Sequence, residues 1–237
     1  MGIGFASCSK DDDNGSSGGN GNNGGNNGGG GGNSNIEWVD LGLPSGVLWA
    51  DRNIGSSAPE DCGSYFAWGE TQPKTSFSWD NYRYGNGDYS LTKYCNDSDY
   101  GLDGFVDGLI YLQDEDDAAI VNLGNGARTP TWDEWIELIE YCSTTPTTLG
   151  GVWGLLFTAN NGNTIFMPAA GIYELVRPDQ GILGSVGYYW AANLDDFHNP
   201  PYAKSCHFTL DEYDGPAIGN EYRWEGLPVR PVRSAHK

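Results

Sequence analysis

The sequence predicts an α+β domain of short antiparallel strands, one or two helices and long irregular loops, on three observations. Short apolar or aromatic runs bounded by Gly, Pro, Asn and Asp recur through residues 36–237, which is the pattern of strands closed by turns. Only two stretches carry helix-start signals. The polar segment from Gly69 to Leu109, rich in Tyr, Gly and Asp, sustains no period of 2 or 3.6 and reads as a long loop packed by its own aromatic rings.

In chain order, residues 1–8 come first. Phe5-Ala6-Ser7-Cys8 resembles the end of a bacterial lipobox, in which small residues precede the cysteine that receives lipid. No cationic region and no full apolar region precede it, so residues 1–8 are expected to be a truncated lipoprotein signal remnant. Residues 9–35 follow as an acidic run and tether. Ser9-Lys10-Asp11-Asp12-Asp13 resembles the export signal that sends some lipoproteins to the outer face of the outer membrane, and Asn14 to Asn35 contains only Gly, Asn and Ser. Such a segment cannot bury enough apolar surface to offset its ordering entropy and is expected to be disordered. As a coil it spans roughly 30 Å, enough to lift a domain clear of lipid.

The domain proper, 36–237, opens with two apolar runs around Leu43-Pro44-Ser45-Gly46, a hairpin or tight corner, and continues with an aromatic strand at Ser64 to Trp68. Asp114 to Asp117 followed by Ala118-Ala119-Ile120-Val121 predicts a short helix with acids in its first turn. Thr131 to Cys142 predicts the main helix: Thr131 caps, Glu134 completes a capping box, and Trp132, Trp135, Ile136, Ile139 and Cys142 share one face. Val152 to Ala159 and Thr164 to Pro168 flank Asn160-Asn161-Gly162-Asn163, a hairpin signal. Gly187 to Ala192, Tyr202 to Leu210 and Leu227 to Val232 predict three further strands.

Composition narrows the function. With 32 acidic against 12 basic residues the formal charge is −20, a surface that repels phosphate backbones, so nucleic acid is not an expected partner. Cys62, Cys95, Cys142 and Cys206 follow no zinc or redox spacing; buried free thiols are expected, with Cys95–Cys142 the one pairing worth testing. Asp97, Asp99, Gly101 and Asp103 superficially match a calcium loop. They lack an oxygen ligand at the fifth position and a Glu at the twelfth, where Gly101 and Gly108 stand, so an acidic turn competes with a calcium role and no cofactor is assigned.

The candidate ligand face lies in 187–233. Ala191 to Pro201 and Asp211 to Glu225 mix charge, amide, imidazole and rings without period, as displayed loops do. The expected binding residues are Asn193, Asp195, Asp196, Phe197, His198, Lys204, His207, Tyr213, Asp214, Asn220, Tyr222, Arg223 and Trp224. Aromatics would supply contact area, and amides and charges selectivity. Trp190, Tyr222 and Trp224 would suit stacking on a sugar. Arg230 and Arg233 are read equally as partners of structural carboxylates.

Seven motifs, in order, resemble the major paralogous (FISUMP-type) domain of bacterial surface lipoproteins. They are Val39 to Gly46, Tyr65 to Thr71, Glu115 to Ala119, Arg128 with Pro130-Thr131, Phe166 to Gly171, Gly187 to Trp190 and Val229 to Val232. The resemblance implies a C-type-lectin-like fold of the formylglycine-generating-enzyme type, with the penultimate strands and their loops as the exposed ligand face. Proteins of this fold include targets of diversity-generating retroelements, whose C-terminal loops are rewritten to change specificity.

The expectation is therefore a non-catalytic, lipid-anchored module on the outer-membrane surface, binding an unknown surface protein or glycan and touching the membrane only through its lipid. A filament or tip subunit is the structural alternative. An oxidase of the formylglycine-generating type would need a second cysteine beside Cys206 to hold copper. Cys206 and His207 with His198 could ligate zinc on paper, without a recognised spacing. Leu183 to Gly187 lacks the first glycine of a nucleophile elbow, and adjacent Asp195 and Asp196 cannot straddle a glycosidic bond.

Overall fold

The computed structural model describes residues 36–87, 90–174, 177–178, 183–195, 201–210 and 215–235. Strands β1 (Trp38–Asp40) and β2 (Val47–Ala50) form the opening hairpin, whose corner is closed by Gly46 N donating to Leu43 O at 2.9 Å. After β3 (Tyr65–Phe66), the described residues up to 113 form 3-10 turns at Trp79–Asn81 and Leu102–Gly104 and isolated bridges such as Gly85 with Leu91, but no named strand or α-helix. Trp79, Tyr82, Tyr84 and Tyr94 are buried there, so the loop is packed by its own rings as expected.

Helix α1 (Ala118–Leu123) leads through β4 (Ala127–Arg128) to α2 (Trp132–Tyr141) and directly into β5 (Cys142–Leu149). Strands β6 (Val152–Ala159) and β7 (Thr164–Pro168) follow, then a two-stranded ribbon of β8 (Tyr173–Glu174) and β9 (Arg177–Pro178). The last third is β10 (Val186–Leu194), β11 (Tyr202–Thr209), β12 (Ala217–Tyr222), β13 (Leu227–Pro228) and β14 (Val232–Ser234). Every pairing between these strands is antiparallel. The sheets run β1-β2-β14-β4, β10-β11-β12, β5-β6-β7, β13-β3 and β8-β9. The last strand therefore pairs with the opening hairpin and ties the two ends of the domain together.

The β10-β11-β12 sheet lies between two cores. Alternation along a strand sends neighbours to opposite faces. Trp190, Leu194 and Ala203 enter one cluster with Phe66, Trp68 and Leu227, and Tyr188 packs against it. Tyr189, Ala191, Cys206 and Phe208 enter the other with Trp49, Trp135, Leu155 and Val232. Gly187 is required by this packing, because a Cβ there would sit 2.3 Å from the Phe208 ring.

Several expectations are corrected. Residues 217–222 form β12 rather than a displayed loop, and Ala191 to Leu194 belong to β10. Ile218 opposite Cys206 and Gly219 opposite Ser205 give that stretch a partly buried side and a close strand approach that its polar composition conceals. Leu227 to Val232 is two short strands, and β5 was not anticipated in its Thr-rich stretch. The acids at 114–116 make a separate 3-10 turn, and Asp117 caps α1. On α2 the buried residues are Glu134, Trp135 and Leu138, and Cys142 starts β5 instead of ending the helix face. Cys95, Cys142 and Cys206 are buried free thiols, so Cys95 and Cys142 are not paired, whereas Cys62, also expected as a free thiol, is disulfide-bonded.

Candidate ligand-binding site

The motifs that carry the resemblance are joints of the fold. In Tyr65 to Thr71, the Trp68 indole donates to Ala191 O at 2.8 Å, and buried Glu70 accepts from Arg83 N at 2.8 Å and Lys74 Nζ at 2.9 Å. In Glu115 to Ala119, buried Asp116 accepts from the Tyr84 and Tyr94 hydroxyls and from Lys93 Nζ. Burial alone would raise this carboxyl, but the bonds from Lys93, Tyr84 and Tyr94 outweigh it and hold the group below its ordinary range. Asp117 accepts from Ala119 N at 2.8 Å and from Thr129 N and Oγ1, joining α1 to β4.

Arg128 forms a two-pronged pair with Glu134, which also receives Thr131 N at 2.8 Å while Thr131 Oγ1 accepts from Glu134 N. In the aromatic run, Trp190 Nε1 donates to Phe66 O at 2.7 Å and the Tyr189 hydroxyl to Pro168 O at 2.7 Å. Trp190 is only 1% exposed, so it is core and not a stacking surface. Arg230, fully buried, donates to Asn53 Oδ1, Ala50 O and Phe166 O; its acceptors are an amide and carbonyls where carboxylates were expected. Arg233 lies with its guanidinium 4.6 Å from the Trp38 ring centre.

The thirteen residues expected on one ligand face divide three ways. Asp196, Phe197, His198, Tyr213 and Asp214 lie outside the described residues, as does Cys8. Arg223, Asp195 and Lys204 are buried at 0%, 2% and 7% exposure and lie beneath a surface rather than on it. Arg223 donates to the Tyr82 hydroxyl at 3.1 Å, Tyr94 O at 2.9 Å and Lys93 O at 3.0 Å, with its guanidinium 5.2 Å from the Trp68 ring centre. A cation between two aromatic residues and flanked by Glu221 and Glu225 looks exposed in sequence, yet here it fastens the long aromatic loop to the end of β12. Lys204 Nζ donates to Asp195 Oδ1 at 2.7 Å and sits 3.7 Å from the Trp132 ring centre.

The half-buried remainder, Asn193, His207, Asn220, Tyr222 and Trp224, does not form one site. In an antiparallel meander the β10–β11 and β11–β12 connections leave from opposite ends of the sheet, and β11 separates them by roughly 23 Å. His207 stands near the 211–214 end, its ring over Gly219 and 5.7 Å from Tyr188. Burial lowers its pKa, and Nδ1 has no hydrogen-bond partner among the described residues. Cys206 beside it points to the opposite face, so these two do not converge on one metal.

At the other end, Tyr202 and Tyr222 are cross-strand partners whose rings stack at 4.4 Å, and Trp224 stacks on Tyr222 at 5.9 Å. The hydrogen bond with the Tyr222 hydroxyl, followed by burial and by the carboxylates of Glu225 and Glu221, pushes the Tyr202 hydroxyl up to about 12. Asn193 accepts from Trp132 N at 2.8 Å and pairs across to Tyr111, which is 46% exposed. Tyr202, Trp132 and Tyr111 were missed. Tyr202 falls in a predicted strand and Trp132 on a predicted core face, while Tyr111 is brought in only by the pairing of 110–112 with the end of β10.

Other chemistry finds little footing among the described residues. No group of three or more His, Cys, Asp or Glu side chains is arranged to hold a metal ion. Asp97 instead closes a local turn, accepting from Asp99 N at 2.9 Å. A cavity beside Trp68, Glu70, Asp116 and Trp190 measures about 10 Å³, the room of one water. No helix is long and apolar enough to cross a membrane. No known protein family, curated protein or solved structure matches this chain.

Proposed function

We propose that this chain is a non-catalytic recognition module with a C-type-lectin-like domain, held on the outer face of the outer membrane by a lipid on Cys8 and the 9–35 tether. It binds a surface protein or glycan at the end of the β10-β11-β12 sheet. The observation that carries this reading is the Tyr202–Tyr222–Trp224 stack, partly exposed at the end of a sheet packed on both faces. Rings pre-set in this way give contact area at small entropic cost. Pairing of β14 with β2, which closes the domain, accords with the lectin-like reading. Rewriting of the loops around this end by a retroelement is the sharper form of the proposal.

The test is to array glycans and surface-protein fragments and probe them with the full chain and with its Tyr222→Ala variant. Retention by the wild type that is lost in the variant, with unchanged thermal unfolding, is the expected result. Anchoring is checked separately, since Cys8→Ser should move the chain from the membrane fraction to the soluble fraction. Assembly into a filament or tip is the second reading, favoured by Leu149 and Trp153, which are 40% and 37% exposed at the β5–β6 turn. Concentration-dependent growth in sedimentation, reversed by Trp153→Ser, would support it.

A further inference from the structure

The aromatic end extends beyond the stack. Residues 110–112 add a row to the sheet through Leu112 N donating to Ala192 O and Leu194 N to Ile110 O. From that row to β12 is about 14 Å across the strands. Contacts run the whole way. Tyr111 pairs with Asn193, Asn193 holds Trp132 N, the half-buried Trp132 ring packs on the Lys204 ammonium, and Tyr202, two residues before Lys204 on the same face, stacks with Tyr222.

The charge along this strip is one-sided. Lys204 is bonded to Asp195, whereas acids recur beside the rings. Asp114 follows Tyr111 by three residues and Asp133 adjoins Trp132, both exposed, and Glu221, although directed to the other face of β12 from Tyr222, is close enough for its charge to act on the Tyr202 hydroxyl. An anionic ligand is disfavoured by this rim, while a guanidinium or ammonium gains from ring faces and carboxylates together.

Building on the recognition reading above, we infer that the strip takes an extended, basic segment of a partner protein, lying across the strands from Tyr111 to Trp224 with Arg or Lys side chains on the rings. Tyr111 and Trp132 are then specificity-determining residues of that site. Association is steered by charge and weakens as salt screens it.

The test uses the full chain and a fluorescent alternating Arg–Gly peptide, with a Ser–Gly peptide and maltoheptaose as uncharged probes. Expected are saturable binding of the Arg–Gly peptide that weakens with added NaCl, and roughly tenfold weaker binding in Tyr111→Ala and in Tyr222→Ala. The isosteric Glu221→Gln, which keeps the packing, should weaken it by roughly threefold, and Glu140→Gln, exposed on α2, should leave it unchanged. Equal loss in Glu140→Gln and Glu221→Gln would mean diffuse attraction to an acidic protein and would overturn the assignment, as would no preference for Arg–Gly over Ser–Gly. Salt-insensitive binding of maltoheptaose that Tyr222→Ala abolishes would overturn the basic ligand while leaving recognition at this end intact. Recognition itself falls only if the arrays also retain nothing.

Discussion

Arg223 and Asp116 anchor the long aromatic loop from opposite sides of Tyr82, Tyr84 and Tyr94. Arg223 takes Tyr82 Oη, Tyr94 O and Lys93 O, and Asp116 takes the Tyr84 and Tyr94 hydroxyls with Lys93 Nζ. Removing the guanidinium strands buried acceptors, so Arg223→Ala is expected to cost about 3 kcal/mol or more in denaturant unfolding. A change within about 0.5 kcal/mol would place Arg223 back on the surface. For Asp116 the folded pKa lies below the unfolded one. Its stabilisation is thus complete above the unfolded pKa near 4 and is lost as pH falls through that value towards the folded one. Asp116→Asn should lower stability at pH 7 and flatten the fall of stability between about pH 5 and pH 2 relative to wild type. Parallel pH curves for the two proteins would contradict the assignment.

At the scale of elements, α2 was the most legible piece. Thr131 and Glu134 form the capping box expected of them, and Thr131→Ala should cost about 1 kcal/mol in thermal unfolding. What the pattern did not reveal is that Glu134 also holds Arg128, so the cap and the β4 junction share one carboxylate. The hairpins at Pro44-Ser45-Gly46 and Asn161-Gly162 were legible because turn chemistry is local. Strand β12 was not, because Ala217-Ile218-Gly219-Asn220-Glu221-Tyr222 shows little apolar content and its glycine serves close packing against His207. Gly219→Ala should therefore destabilise although its backbone φ is unremarkable, since the added Cβ would meet His207 Nδ1 at 2.7 Å. A melting temperature equal to wild type would refute that packing.

At the scale of the molecule, the sheet between two cores explains both the rigidity of the candidate site and the error in placing it. Reading 187–233 as one face joined residues that are neighbours in sequence and lie at opposite ends of β11. A meander separates its successive loops, which local composition cannot report. Arg223 and Lys204 were misjudged for a related reason: burial of a cation depends on partners such as Tyr82, Trp132 and Asp195 that tertiary structure supplies. Tyr222 and Trp224 were legible as candidate site residues by type, and Tyr111 only through pairing over some eighty residues of chain. The most direct measurement is an alanine scan of the full chain at Tyr111, Tyr188, His207 and Tyr222, read against the arrayed ligands, with thermal unfolding followed in parallel. Loss of retention at Tyr111 and Tyr222 with unchanged melting, and none at Tyr188 or His207, is the result expected of a site at the aromatic end. Loss confined to Tyr188 and His207, or retention untouched by all four, would contradict it.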